Sequence, residues 1–185
     1  RQGRILNVDI GGGTTKLALV CKGVILWTAA LHIGGRLIAL QDGKVTRIEA
    51  TGAYFAAEAG VSIALGDAID ATRMRLIASH MADLLTVAIM GRDLPKEVTS
   101  LFLTDIPDDF GSLDGVVFSG GVGAYVSGQE DRDFGDLGFH LGDLLRARAL
   151  AGEFGAPMLD AGSAIRATAL GASEYSVQLS GQTST

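Results

Sequence analysis

The segment Asp9–Lys16, with the sequence DIGGGTTK, constrains the fold of this chain more than any other feature. It lies between two apolar runs, Ile5–Val8 and Leu17–Cys21, and therefore predicts two short strands joined by a glycine turn. Consecutive glycines can adopt positive φ and bring their backbone N–H groups close to an anion. An acidic residue before the turn and two threonines after it add polar groups. The pattern is typical of a hairpin that holds the phosphates of a nucleotide.

This hairpin supplies the first candidate site residues. Asp9, at the strand end, is predicted to hold a hydrated Mg²⁺, directly or through water, or to position the attacking water as the catalytic carboxylate. The alternative role for Asp9 is to cap the turn. The other predicted contacts are backbone amides and hydroxyls that bind phosphate: Gly11, Gly12 and Gly13 for the amides, Thr14 and Thr15 for the hydroxyls.

Composition excludes several classes of protein. With 185 residues the chain fits one domain, and 48% hydrophobic against 19% charged residues is typical of an α/β protein. The net charge of −6, without a basic stripe, argues against a nucleic-acid partner, and no apolar run is long enough to predict a membrane segment. The single cysteine, Cys21, indicates a reducing compartment and hence the cytoplasm. The three histidines show no metal-ligand spacing.

The first half of the chain predicts a meander followed by an inserted hairpin. Alternating apolar residues and glycine turns place three strands at Ile5–Ile10, Lys16–Cys21 and Val24–Leu31. A second hairpin is expected at about 36–49, with strands Arg36–Gln41 and Lys44–Glu49 around an Asp-Gly turn of type I′.

The second half predicts alternating helices and strands. Thr51–Leu65 has mixed character, and a long helix is expected over Asp67–Met90, capped by Asp67 or Asp70 and ended by Gly91. Further along, the pattern predicts a buried strand, a glycine turn, two helices and a short strand between those helices. These are, in order, Val116–Ser119, Gly120–Gly123 without an immediate helix, Asp136–Ala151, Ala156–Leu159 and Gly162–Tyr175.

This βββαβαβα order with an inserted hairpin resembles one lobe of the actin-like ATPase (ribonuclease H-like) fold, a mixed α/β sheet. In that superfamily the nucleotide lies between two lobes, and each lobe contributes a phosphate hairpin. The DIGGGTTK and GGVG segments resemble the hairpin and the adenosine turn of the second lobe. The resemblance implies a nucleotide-binding lobe over residues 1–179, a polar tail over 180–185, and a first lobe upstream of Arg1. The implied adenosine contacts are Gly120, Gly121, Val122 and Gly123, for which an ordinary strand-to-loop turn is the alternative.

A narrower resemblance covers the whole chain. Five segments are similar, in order and spacing, to the second half of the ethanolamine ammonia-lyase reactivating factor (EutA) family. The combination is more specific than the glycine hairpin alone. The segments are LNVDIGGGT at 6–14, IGGRLI at 33–38, FSGGVG at 118–123, IRATALGA at 165–172 and LSG at 179–181.

The family resemblance implies an ATP- and Mg²⁺-dependent chaperone whose client is ethanolamine ammonia-lyase, an adenosylcobalamin enzyme. Such a factor releases damaged cobalamin from its client when ATP shifts its two lobes relative to one another. ATPase activity is then expected only of the complete two-lobed protein. The oligomeric state, the face that meets the client and any association with a bacterial microcompartment stay open.

Two other classes remain as alternatives. A phosphohydrolase or kinase of the same superfamily, such as an exopolyphosphatase-like enzyme, usually places Ser and then, two residues on, Glu after the glycines, whereas Thr14, Thr15 and Lys16 follow here. A non-catalytic actin-like scaffold would bind nucleotide only to set its assembly state. Gly34, Gly35 and Arg36 lie where this family differs from kinases, and the partner of Arg36 stays open between client, nucleotide and a carboxylate.

Overall fold

The computed structural model describes residues 3–108 and 110–160. The order of the strands and helices is mostly the predicted one. In chain order the elements are β1 (Arg4–Ile10), β2 (Thr15–Cys21), β3 (Val24–Leu31), β4 (Ile38–Gln41), β5 (Lys44–Ile48), α1 (Ala50–Glu58), α2 (Ala71–Met90), α3 (Lys96–Thr99), β6 (Gly115–Ser119), α4 (Gly120–Ser127) and α5 (Leu137–Leu150).

A four-stranded mixed sheet in the order β3-β2-β1-β6 forms the centre of the described part. The first three strands pair antiparallel, which confirms the predicted meander, and β6 pairs parallel with β1. The short strand expected at Ala156–Leu159 is reduced to one parallel bridge between Met158 and Val116. Burial differs between the two inner strands. Buried and half-buried residues alternate along most of β1, whereas β2 is buried almost throughout, because helices cover the sheet.

The inserted hairpin β4–β5 forms as predicted. Asp42 and Gly43 at its turn have φ of 53° and 74°, the two positive values that a type I′ turn requires. The first strand begins at Ile38 and not at the predicted Arg36. Arg36 is diverted from the hairpin because its backbone N–H donates to the carbonyl of Gly12, at 2.7 Å.

The long helix α2 begins at Ala71, four residues after the predicted start. Asp70 is its N-cap and accepts a hydrogen bond from the N–H of Arg73 at 2.8 Å, whereas Asp67 accepts from Ala64 in the preceding turn. Gly91 ends the helix with φ 62°, as predicted. The buried face of α2 packs against the sheet and α5, so the helix anchors the core.

Three helices, α1, α3 and α4, lie where none was predicted. Helix α1 falls within the region expected to have mixed character, and helix α4 replaces the predicted glycine turn after β6, so the expectation that no helix follows directly is wrong. Glycine disfavours helix by about 1 kcal/mol per residue. Burial of Val122, Tyr125 and Val126 against β6 and α5 outweighs that cost.

The predicted helix Gly162–Tyr175 and the tail over 180–185 lie outside the described residues, as do the family-like segments at 165–172 and 179–181. Within 3–108 and 110–160, none of the helices has the length and apolar character needed to cross a bilayer. The predicted class, a mixed α/β sheet with an inserted hairpin, is confirmed, while its assignment to the actin-like fold stays a prediction.

Candidate ligand-binding site

The topology brings the two glycine segments to one edge of the sheet. Strands β1 and β6 are parallel, and Asp9 is paired in register with Ser119 at their carboxyl ends. The DIGGGTTK hairpin therefore leaves β1 beside the point where α4 leaves β6. In open α/β sheets ligands bind outside the carboxyl ends of such parallel strands.

The hairpin is held by one internal hydrogen bond, from the N–H of Gly11 to the carbonyl of Thr14 at 2.9 Å. None of the three glycines has a positive φ, so this part of the prediction is wrong. The amides of Gly12 and Gly13 have no acceptor within the described part of the chain. A Cβ built on Gly13 would meet no atom within 4 Å, so the space beside this residue is open.

The two threonines differ in environment. Thr15 is fully buried, and its hydroxyl donates to the carbonyl of Ile33 at 2.8 Å. The structure therefore gives this hydroxyl a partner inside the fold, and its predicted phosphate contact stays a prediction. Thr14 is half-buried at the end of the turn, where its carbonyl closes the hairpin.

The segment 33–36, with the sequence IGGR, packs against the hairpin and is hydrogen-bonded to it. The N–H groups of Gly35 and Arg36 donate to the carbonyls of Gly11 and Gly12, at 2.9 and 2.7 Å. A Cβ at Gly34 would overlap the Gly12 carbonyl, so only glycine lets the two backbones approach this closely. Sequence reasoning singled this segment out but did not assign it, and its role is to hold the glycine hairpin in place.

Asp9 lies beneath the first residue of α4. Gly120 has φ 80°, and a Cβ there would overlap the Asp9 carboxylate and the carbonyl of Ile10. The Asp9 side chain is half-buried and does not line the cavity described next. Glycine at 120 is therefore required both by its backbone conformation and by the nearby carboxylate.

A cavity of about 320 Å³ opens between the hairpin, the segment 33–36 and the N-termini of α4 and α5. Four predicted residues line it together: Gly11, Gly12, Gly121 and Val122. Eight lining residues were not predicted as site residues: Gly35, Arg36, Ala124, Tyr125, Glu130, Phe134, Asp136 and Gly138. Six predicted residues do not line it: Asp9, Gly13, Thr14, Thr15, Gly120 and Gly123.

Gly123 is a packing residue. It is buried within α4, and a Cβ there would meet the backbone of Phe118 at 3.0 Å. Gly35 has a similar role at the cavity wall, because a Cβ would meet Val122 at 2.8 Å and Gly138 at 3.0 Å. These glycines let two helix N-termini lie close to the hairpin.

The start of α4 is the electropositive part of the cavity wall. Its N-cap residue, Ser119, makes no side-chain capping hydrogen bond. The first N–H groups of a helix have no partner within the helix, and they carry the positive end of its dipole. Since Gly121 lines the cavity without a side chain, these amides are accessible to an anionic group.

The cavity wall also carries charged residues. Arg36 and Asp136 approach to 3.8 Å between Nε and Oδ2, and Asp136 also accepts a hydrogen bond from the N–H of Gly138 at 2.8 Å as the N-cap of α5. Burial raises the pKa of Asp136, although the Gly138 N–H and the Arg36 charge oppose this rise. The carboxylate of Asp136 is thus the observed neighbour of Arg36.

The loop between α4 and α5 closes one end of the cavity. Glu130 binds the guanidinium of Arg132, and this hydrogen bonding lowers the pKa of Glu130 to about 2. Arg132 in turn lies over the ring of Phe134, at 4.9 Å from the centroid. No local motif marks this loop, so sequence reasoning had no signal for it beyond the predicted start of α5 at Asp136.

Among residues 3–108 and 110–160, no three His, Cys, Asp or Glu side chains cluster closely enough to hold a metal ion by themselves. A cation held near Asp9 would take its other ligands from water and from a bound anion. The Mg²⁺ site at Asp9 stays a prediction.

The fold and the site define a mixed α/β domain with a glycine-walled cavity at the carboxyl edge of its parallel strands. The family described as Ethanolamine utilisation protein EutA matches the chain over residues 1–185. The chain belongs to this family.

Two curated relatives carry the same printed name, ethanolamine ammonia-lyase reactivase EutA. The protein from Salmonella typhimurium strain LT2 is 32% identical over 190 residues, covering 99% of this chain and 39% of the relative. The protein from Escherichia coli strain K12 is 30% identical over 187 residues, covering 97% of this chain and 38% of the relative. The chain thus spans about two fifths of the length of the curated relatives it matches.

Proposed function

We propose that the glycine-walled cavity binds ATP or ADP. The observation that carries this proposal is that residues of two glycine segments more than a hundred residues apart, Gly11 and Gly12 of the first and Gly121 of the second, line one cavity. Its volume of about 320 Å³ lies at the lower end of the range for small-molecule sites. In this proposal the start of α4, for which the resemblance implied adenosine contacts, would instead meet the phosphates together with the hairpin, and the nucleoside would extend toward α5.

The residues present fit a phosphate group. The amides of Gly12 and Gly13, which are unpaired within the described residues, and the uncapped start of α4 offer several N–H donors. Mg²⁺ bound with the nucleotide would neutralise phosphate charge. In this arrangement Asp9 would hold the ion through water, because its carboxylate lies beneath α4 and outside the cavity wall.

This cavity would be one half of an ATP site. In our proposal the chain is the second lobe of an actin-like ATPase, and another lobe of the complete protein supplies a further phosphate hairpin. Phosphoryl transfer depends on positioning and charge neutralisation from all sides of the phosphate, so hydrolysis would need both lobes.

At the level of the whole protein we propose an ATP-dependent reactivating factor for ethanolamine ammonia-lyase. Support comes from membership of the EutA family and from two relatives named as reactivases of that enzyme. Binding and hydrolysis of ATP would favour different lobe arrangements with different affinities for the lyase, and this difference would drive release of the damaged cobalamin. Family membership favours this function over a phosphohydrolase, a kinase or a scaffold.

Titration calorimetry of the complete protein with Mg-ATP tests the nucleotide site. Gly121→Ala places a methyl group in the cavity without meeting any atom within 4 Å, so the fold is expected to remain intact. We expect ATP affinity to fall by about tenfold or more, since the methyl occupies the path of the phosphate to the α4 amides. Ser62→Ala, in an exposed loop after α1, is the control and leaves affinity unchanged. Equal ATP affinity in all three proteins would contradict the site.

A further inference from the structure

Phe134 stands out among the aromatic residues of the described chain. This residue is 59% exposed, whereas every other Phe, Tyr and Trp in residues 3–108 and 110–160 is buried or half-buried. An exposed phenyl ring gains free energy when another apolar or flat surface covers it. This ring belongs to the wall of the cavity.

The ring is held by a chain of contacts within the α4–α5 loop. Glu130 binds Arg132 through two hydrogen bonds, of 3.1 Å from Nε and 2.9 Å from Nη2. The same carboxylate accepts the backbone N–H groups of Asp131 and Arg132, each at 3.0 Å. Tyr125 provides a further contact to the loop, because its hydroxyl donates to the Arg132 carbonyl at 2.7 Å. An exposed loop is thereby held in one conformation.

Arg132 covers one face of the Phe134 ring and does not line the cavity, whereas Phe134 does. One face of the ring therefore contacts the guanidinium, and the exposed remainder of the ring is available to the cavity that it lines. The lining also includes the apolar residues Val122 and Ala124 and the ring of Tyr125, together with Glu130 and Asp136. The cavity wall thus contains backbone amides as well as aromatic and aliphatic groups, which suits a ligand with an anionic part and a flat, apolar part.

We propose that Phe134 is a stacking platform for the base of the bound nucleotide, and that it makes the site selective for purines. The inference rests on the proposed nucleotide function of the cavity. A purine offers a larger flat surface than a pyrimidine, so it gains more from stacking on a phenyl ring. Because Arg132, itself held by Glu130, already lies over the ring, less side-chain freedom is lost when the base binds.

The first experiment measures binding to the complete protein and to its Phe134→Leu and Phe134→Tyr variants. We expect Phe134→Leu to weaken ATP binding roughly tenfold, which is the order of one base–aromatic stack, and to reduce the preference for ATP over UTP. Inorganic tripolyphosphate, which has no base, should bind the variant and the parent equally. Phe134→Tyr retains the ring and should retain ATP affinity.

A spectroscopic readout separates stacking from a structural effect. The fluorescence of 2-aminopurine riboside triphosphate falls when the base stacks on an aromatic ring. We expect quenching on binding to the parent and to Phe134→Tyr, and its loss in Phe134→Leu.

A matched pair of variants tests the support of the ring. Arg132→Gln and Arg47→Gln each remove an exposed arginine, with side chains 71% and 55% exposed, that is paired with a glutamate two residues away. Of these two arginines, only Arg132 lies over the Phe134 ring. We expect a several-fold loss of ATP affinity in Arg132→Gln and none in Arg47→Gln.

The possible outcomes distinguish the two proposals. If the parent binds ATP and Phe134→Leu binds it equally well, the platform is overturned and the nucleotide site stands. If Phe134→Leu weakens tripolyphosphate as much as ATP, the ring has only a structural role and the platform is again overturned. Failure of the parent to bind any nucleotide would overturn the proposed function itself, and the platform with it.

Discussion

Gly120 and Gly121 are neighbours that meet different physical constraints. At Gly120 the backbone has φ 80° and lies against the Asp9 carboxylate and the Ile10 carbonyl, so the fold itself excludes a side chain. At Gly121 the space for a Cβ is open and belongs to the cavity. The backbone fold requires glycine at 120, whereas glycine at 121 leaves the helix amides accessible. The sequence GGVG by itself does not distinguish these two roles.

Alanine substitution should separate these two roles. We expect Gly120→Ala to lower the free energy of unfolding by about 1–3 kcal/mol, because a positive φ and a close contact with Asp9 are both strained by a Cβ. Gly121→Ala should leave stability unchanged or raise it by up to about 1 kcal/mol, since alanine favours helix over glycine. Urea denaturation followed by circular dichroism measures both. Equal stability of the two variants would contradict the assignment.

At the scale of elements, local patterns predicted what local interactions determine. The meander and the β4–β5 turn follow from alternation and from the Asp42-Gly43 pair, and the caps of α2 follow from Asp70 and Gly91. Helix α4 was missed because its glycines disfavour helix and only packing against β6 and α5 stabilises it. The cavity walls beyond the glycines were missed for the same reason, since residues such as Phe134 reach the site through tertiary contacts alone.

The hairpin and the segment 33–36 form one unit, and a substitution of Thr15 tests the hydrogen bond that connects them. Thr15→Val keeps the shape of a fully buried side chain but leaves the Ile33 carbonyl without its hydroxyl donor. We expect a loss of about 1–3 kcal/mol in the free energy of unfolding. Thr46→Val, which removes the exposed hydroxyl that donates to Ala39, should change it by less than about 0.5 kcal/mol. An equal effect of both substitutions in urea denaturation would show that the buried bond contributes nothing.

At the scale of the whole molecule, the described residues supply backbone donors to the cavity from the hairpin and from the start of α4, and Arg36 adds a guanidinium. An ATPase site that encloses the phosphates on all sides needs donors from elsewhere as well. The chain also spans only about two fifths of its curated relatives. Both observations agree with the half-site that we propose.

This half-site gives a prediction about catalysis. The 185-residue chain alone should hydrolyse Mg-ATP at the background rate, while the complete protein hydrolyses it and does so faster with the inactivated lyase. In the complete protein Asp9→Asn should lower the rate of Mg²⁺-dependent hydrolysis by about a hundredfold or more. It should leave the unfolding midpoint unchanged, because the amide keeps the shape of the carboxylate but not its charge. Phosphate release assays with and without Mg²⁺ measure these rates. Kinase-like turnover by the 185 residues alone would exclude a half-site, and full activity of Asp9→Asn would exclude a role for this carboxylate in metal binding.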